Sequence, residues 1–216
     1  MISNQIVISL KYIIAFIVLT HLFACEQVTF REAQPTQINN LSEFPKRVQG
    51  QYLSLDGNLT LKITDHAIFA IYDLDNKFHI NQLDSNERLS GDTLINLRTN
   101  KKAIVKITGD TLVKHIHETD TVFNINETNI LKKFKGYYFI NTWYGDDSWE
   151  VKKMQLSKGK LILSKISTKE DIEQFKAITE SPQDTIPYKL AITKKQFNKF
   201  VKNKGFRNNE TFVRQK

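Results

Sequence analysis

The stretch Leu59-Thr60-Leu61-Lys62-Ile63-Thr64 places an apolar residue at every second position. This alternation predicts a β-strand with one buried face. A similar short run covers 161–164, and turn-forming residues recur at Asp56-Gly57-Asn58, Ser90-Gly91-Asp92, Thr108-Gly109-Asp110 and Ser157-Lys158-Gly159. Short strands between closely spaced turns predict a mainly β fold, an antiparallel up-and-down sheet, sandwich or barrel. No long helical pattern links the strands, which argues against a parallel α/β sheet.

An eight-residue pattern occurs twice. Lys46-Arg47-Val48-Gln49-Gly50-Gln51-Tyr52-Leu53 matches Lys132-Lys133-Phe134-Lys135-Gly136-Tyr137-Tyr138-Phe139 in its two basic residues and its Gly-x-Tyr-apolar ending. The repeat predicts two related β units, 44–127 and 128–216, in which both Gly-x-Tyr segments open equivalent strands. The Gly-x-Tyr opening resembles the Gly-x-Trp first strand of lipocalin-like barrels, and the resemblance implies an up-and-down antiparallel arrangement.

Two helices are expected near the C-terminus. Thr193 with Gln196 three residues later forms a capping-box pattern, and it predicts a helix over 193–204 that ends at Gly205. A second helix is predicted from Thr168, with Ile172, Phe175 and Ile178 facing inward.

The first 25 residues carry an export pattern. Lys11 precedes an apolar run over 12–20, and Leu22-Phe23-Ala24-Cys25 follows. The run is too short to span a bilayer, which takes about 20 apolar residues. The segment resembles the lipobox of a bacterial (Bacteroidota-type) lipoprotein signal peptide. That resemblance implies cleavage before Cys25, lipidation of its sulfur, and a place in the cell envelope at the outer membrane. We therefore expect a signal peptide over 1–24 and a flexible lipidated tether over 25–43.

The cysteine count and the net charge limit the kinds of chemistry and the partners that we expect. Cys25 is the single cysteine, so its lipidation would leave no thiol for a disulfide, a nucleophile or a metal. The chain has a formal net charge of +8, and because Lys11 is the one charged residue of 1–24, the remainder carries +7. Such a charge favours acidic partners, although nucleic acid is not expected at the envelope. No cofactor-binding fingerprint is found, and we expect no cofactor.

Two histidines and two acidic clusters could bind metal. His115 and His117 would share one side of a strand and could grip zinc if His66, His79 or Glu118 supplied a third ligand. The segments Asp73-Leu74-Asp75-Asn76 and Gly145-Asp146-Asp147-Ser148 hold oxygen ligands suited to calcium, but we predict that both are hairpin turns.

An aromatic group is the strongest binding candidate. Trp143, Tyr144 and Trp149 flank the second of these turns and would form a binding edge for a protein, a glycan or a small molecule. The sequence predicts a membrane-anchored envelope lipoprotein with a non-catalytic binding or structural domain. Two alternatives stay open: a metal-dependent hydrolase that uses His115 and His117, and an immunity or inhibitor lipoprotein.

Overall fold

The computed structural model describes residues 28–179 and 188–215. The predicted signal peptide and Cys25 lie outside the described residues. The strands are β1 (Val28–Phe30), β2 (Asn40–Leu41), β3 (Gly50–Ser54), β4 (Leu59–Ile63), β5 (Ala67–His79), β6 (Glu87–Ser90), β7 (Thr93–Asn96), β8 (Lys102–Thr108), β9 (Thr111–Asn124), β10 (Asn129–Phe134), β11 (Tyr137–Trp143), β12 (Trp149–Ser157), β13 (Lys160–Lys165), β14 (Tyr188–Leu190) and β15 (Asn208–Arg214).

These strands form one extended sheet in the order β2-β10-β11-β12-β13-β15-β3-β4-β5-β9-β8-β7-β6. Neighbours along this order are antiparallel, and the short β1 joins β12 antiparallel and β14 parallel. The mainly β, antiparallel prediction is therefore confirmed, and the sheet is not closed into a barrel. The C-terminal strand β15 lies between β13 and β3, where it joins the two halves of the sheet.

The repeated Gly-x-Tyr segments begin two equivalent three-stranded meanders. β3 starts at Gly50 and continues into β4 and β5, while β11 starts just after Gly136 and continues into β12 and β13. Tyr52 and Tyr138 are both fully buried, as predicted. Each stands opposite an apolar residue of the next strand, Leu61 for Tyr52 and Met154 for Tyr138. Both glycines have positive φ, 139° and 84°, which a side chain would strain.

Both tyrosines keep their hydroxyl groups paired inside the same core cluster. The Tyr52 hydroxyl donates to the Val48 carbonyl at 2.9 Å, and the Tyr138 hydroxyl accepts from Nε of Arg47 at 2.9 Å. Burial raises the pKa of Tyr52, an effect that the nearby Arg214 charge opposes. Tyr52 and Phe123 come from one half of the sheet and Tyr138 from the other, so this core cluster joins the two halves.

The opposite face of β11–β13 is covered by two helices, α1 (Lys169–Thr179) and α2 (Lys194–Lys202). Both confirm the prediction. α1 buries its apolar side, and Phe175 of this helix stacks on Phe200 of α2 with ring centroids 3.7 Å apart. Thr193 and Gln196 form the expected capping box. Neither helix has the length and apolarity needed to cross a bilayer, nor does any other helix of the described residues.

The end of α2 differs in detail from its prediction. Asn203 is the C-cap, and Gly205 is needed for close packing instead. A Cβ atom on Gly205 would lie 2.4 Å from the Phe200 ring.

A long hairpin extends from the first meander. β5 and β9 pair along their full length, and the short strands β6–β8 continue the sheet beyond β9 as a region that we call the distal small sheet. Leu94, Val105 and Leu112 form a separate apolar cluster there. The predicted turn at Asp73-Leu74-Asp75-Asn76 is wrong, because these residues lie inside β5 and pair with β9. Leu74 keeps the alternating pattern of a strand, and the local preference of Asp and Asn for turns is overridden by this pairing.

The predicted tether over 25–43 is also wrong for the part that the structure describes. Val28, Thr29 and Phe30 form the buried strand β1. The next residues lie against the sheet and are held there by two buried polar side chains. Asn141 accepts from the Gln34 amide at 2.6 Å and donates to the Gln34 carbonyl at 2.9 Å. The Lys132 ammonium donates to the Ala33 and Pro35 carbonyls at 2.9 and 3.0 Å.

We expect Asn141→Ala to lower the free energy of unfolding by about 2 kcal/mol, because it leaves buried backbone groups of Gln34 without a partner. Chemical denaturation of the purified protein would measure the change. Asn81→Ala is the matched control, since Asn81 is exposed, and it should change stability by less than about 0.5 kcal/mol. Equal stability of both variants would contradict the role assigned to Asn141.

Candidate functional site

The predicted aromatic edge lies at one end of the β11–β12 hairpin. Trp143 is the last residue of β11 and stands directly opposite Trp149, the first residue of β12. Tyr144 follows at the start of the connecting loop. The structure therefore brings the three predicted aromatic residues together, and we call residues 143–149 the aromatic tip.

The three side chains of the aromatic tip have different environments. Trp149 is half-buried and packs against the core beneath the helices, where its backbone also pairs with Phe30 of β1. Trp143 is 45% exposed and Tyr144 is 60% exposed. Trp149 therefore serves mainly to hold the tip on the fold, while Trp143 and Tyr144 present apolar surface to a partner.

Backbone bonds fix the shape of the aromatic tip. The Tyr144 amide donates to the Ser148 carbonyl and the Ser148 amide donates to the Gly145 carbonyl, each at 2.8 Å. Asp146 and Asp147 both adopt left-handed φ, 46° and 50°, a conformation that Asp tolerates better than most residues. The ammonium of Lys189 on β14 contacts the Asp146 carbonyl. This segment is thus the turn that the sequence predicts.

His115 and His117 lie on one side of β9, as predicted, and face two carboxylates of β5. His115 Nδ1 lies 3.1 Å from Asp75 and its Nε2 lies 3.4 Å from Asp73, while His117 Nδ1 lies 3.5 Å from Asp73. The side chains are all more than half exposed. The cross-strand register places Asp75 opposite His115 and Asp73 opposite His117, so these are ion pairs on a solvated face whenever the imidazoles are protonated.

The expected third metal ligands do not join this cluster. His66 is paired with Asp65 at the turn before β5, and His79 lies at the far end of that strand. Glu118 follows His117 directly, so it points to the other side of β9. Within residues 28–179 and 188–215, no group of three or more His, Cys, Asp or Glu is arranged to hold a metal ion.

A cavity of about 220 Å³ is lined by residues of β4, β5 and β9 on one side and of β11, β12, β13 and β15 on the other. Its wall is largely apolar and includes Leu61, Phe123, Ile140 and Phe212, with Lys152 and Glu210 among its polar residues. Sequence reasoning missed this cavity, because its residues are distant in the chain and meet through the pairing of β15 with β3. The alternating pattern of each strand identifies the inward residues but not their partners.

Comparison with protein-family models, with characterised proteins and with solved structures finds no match to this chain.

The two tryptophans should respond differently to truncation. We expect Trp149→Ala to destabilise the domain by about 2 kcal/mol, because Trp149 packs on the core, while Trp143→Ala should cost less than about 1 kcal/mol, the size of a cross-strand pair. Thermal and chemical denaturation of the two variants would measure this difference. A larger loss for Trp143→Ala would contradict the assignment of Trp143 to the exposed binding edge.

Proposed function

We propose that this protein is a lipid-anchored lipoprotein of the bacterial cell envelope, at the outer membrane, whose β-rich domain binds another molecule and performs no catalysis. The observation that carries the binding part is the aromatic tip: two large exposed aromatic side chains on a turn that backbone bonds fix. Trp and Tyr contribute much of the energy at recognition surfaces because they offer large contact area with little rotamer freedom.

The position of β1 supports a domain that lies close to the membrane. β1 begins at Val28, three residues after Cys25. Three Cα–Cα steps span at most about 11 Å. An acyl anchor on Cys25 would therefore hold the packed domain directly at the lipid headgroups, without the long tether that the sequence predicts. The aromatic tip belongs to β11 and β12, and β12 is the neighbour of β1. A partner of the tip would accordingly be a molecule of the envelope.

The anchor is tested by Cys25→Ser in the native host or a related bacterium. We expect the wild-type protein to incorporate radiolabelled palmitate and to sediment with outer membranes, and the variant to lose the label and accumulate as an uncleaved or mislocalised precursor. Asn81→Ala serves as the processing control. A Cys25→Ser protein that is still processed and labelled would overturn the lipoprotein proposal.

The binding face is tested by photo-crosslinking in intact cells. A photoreactive phenylalanine at Tyr144 should give a discrete crosslinked envelope product, and Trp143→Ala in the same protein should weaken that product because the neighbouring contact is lost. The control position is Leu97, which is 53% exposed at the distal small sheet. Equal crosslinking from both positions, or none from Tyr144, would contradict the assignment of the aromatic tip.

A further inference from the structure

A second surface carries a strong and unbalanced positive charge. Where α2 ends, part of the sheet face beneath the helices stays uncovered and forms a groove of about 660 Å³. We call it the basic groove. No carboxylate lines it. Five cationic side chains do: Lys135, Lys153, Lys202, Lys204 and Arg207. A volume of this size suits a small-molecule ligand.

The floor of the basic groove is built by strand register. Gln155, Ile162 and Thr211 form one row across β12, β13 and β15. The next row of the floor holds Lys153, Ser164 and Asn209, and Tyr137 lines the groove from the start of β11. The floor therefore offers hydroxyl and amide groups beside an apolar patch. Because these side chains stand on paired strands, they are held in place before any ligand arrives.

Among the residues that the structure describes, one of the five charges, that of Arg207, has an ion-pair partner. Arg207 donates to the fully buried Asp171 at 2.6 Å through its guanidinium and at 3.0 Å through its amide. The four lysines form no ion pair with a carboxylate of residues 28–179 and 188–215. Like charges gathered in one concave site raise the local concentration of anions.

Lys153 is the most informative of these lysines. Its ammonium donates to the Gly205 carbonyl at 3.3 Å and lies 5.4 Å from the ring centres of both Tyr137 and Phe206. Burial lowers the pKa of Lys153, and the charge of Asp171 opposes this shift. The ammonium thus loses part of its hydration and gains one carbonyl and two ring faces in return. A half-buried cation with so few partners is stabilised when an anion binds beside it.

We propose that the basic groove binds a ligand carrying two or more phosphate groups, either as a free anion or as a lipid headgroup. Lysine ammonium groups act as point charges toward phosphate oxygens, and four lysines without an ion pair among the described residues call for more than one negative charge. Gln155 and Thr211 supply hydrogen bonds, and Ile162 accommodates an apolar part of the ligand. The inference goes beyond the binding proposed for the aromatic tip and rests on the proposed function only for the envelope location.

The test is calorimetric titration of the protein in the processed form that cells accumulate, purified in non-ionic detergent. Tripolyphosphate is the soluble probe, and a short-chain cardiolipin, which carries two phosphate groups, is the lipid probe, with a phosphatidylcholine of the same chain length as the zwitterionic control. We expect saturable binding of at least one anionic probe. Tighter binding of tripolyphosphate would assign the site to soluble phosphates, and tighter binding of cardiolipin would assign it to a lipid headgroup.

Two variants make the result specific. Lys153→Met should weaken binding about tenfold or more, as expected for a lost charge-assisted bond. Lys152→Gln removes the same charge from the neighbouring position, whose side chain points to the other face of the sheet toward Glu150, and should leave affinity unchanged. The exposed pair Lys202→Gln and Lys204→Gln gives a second test if Lys153→Met fails to fold.

Absence of binding by both anionic probes, or equal loss in Lys152→Gln and Lys153→Met, would overturn the groove proposal. Such a result would leave the lipoprotein proposal standing, because lipid labelling of Cys25 is measured in a separate experiment. Conversely, a protein without a lipid anchor would still be expected to bind phosphate in detergent solution.

Discussion

The pairing of β15 with both β13 and β3 is the constraint on which the rest of the structure depends. The last strand of the chain hydrogen-bonds to β13 along its whole length and to β3 near its end. Phe212 of β15 enters the core that both meanders share. Without this strand each meander would expose an unpaired edge and half of an apolar face. The fold is thus completed only by the C-terminal segment, which pairs with a strand more than 150 residues away.

The same pairing explains which features of the fold the sequence could predict. Most local signals were reliable: the capping box at Thr193, the turn at Gly145, and the two Gly-x-Tyr strand starts all depend on residues a few positions apart. The turn predicted at 73–76 was wrong, because pairing of β5 with β9 overrides the local preference. The order of strands was not predictable, because alternation tells which side chains face inward and not which strands are neighbours. The prediction of a flexible tether was wrong for a related reason. Residues 31–37 have no pattern of their own and are held by Lys132 and Asn141, about 100 residues away in sequence.

The candidate sites also divide into those built from residues close in sequence, which could be predicted, and those built from distant residues, which could not. The aromatic tip was predictable because a single hairpin carries all three aromatic residues. The placement of His115 and His117 on one face of β9 followed from strand geometry alone. The carboxylates opposite those histidines were missed, because Asp73 and Asp75 were read as part of a turn. The basic groove was missed altogether. Its lysines come from a strand, a helix and two turns, and Lys153 gives no sequence signal apart from its charge.

Two lysines, the buried Lys132 and the half-buried Lys153, show how the surroundings of a charge indicate its role. Burial lowers the pKa of both Lys132 and Lys153. Lys132 donates to two carbonyls of the N-terminal segment, so its bonds account for its position: it holds that segment on the sheet. Lys153 has one longer bond and two ring faces, beside an open groove rather than a packed segment. A protein that needed Lys153 for stability alone would gain more from an apolar side chain there. The charge is therefore best understood through what enters the groove from outside.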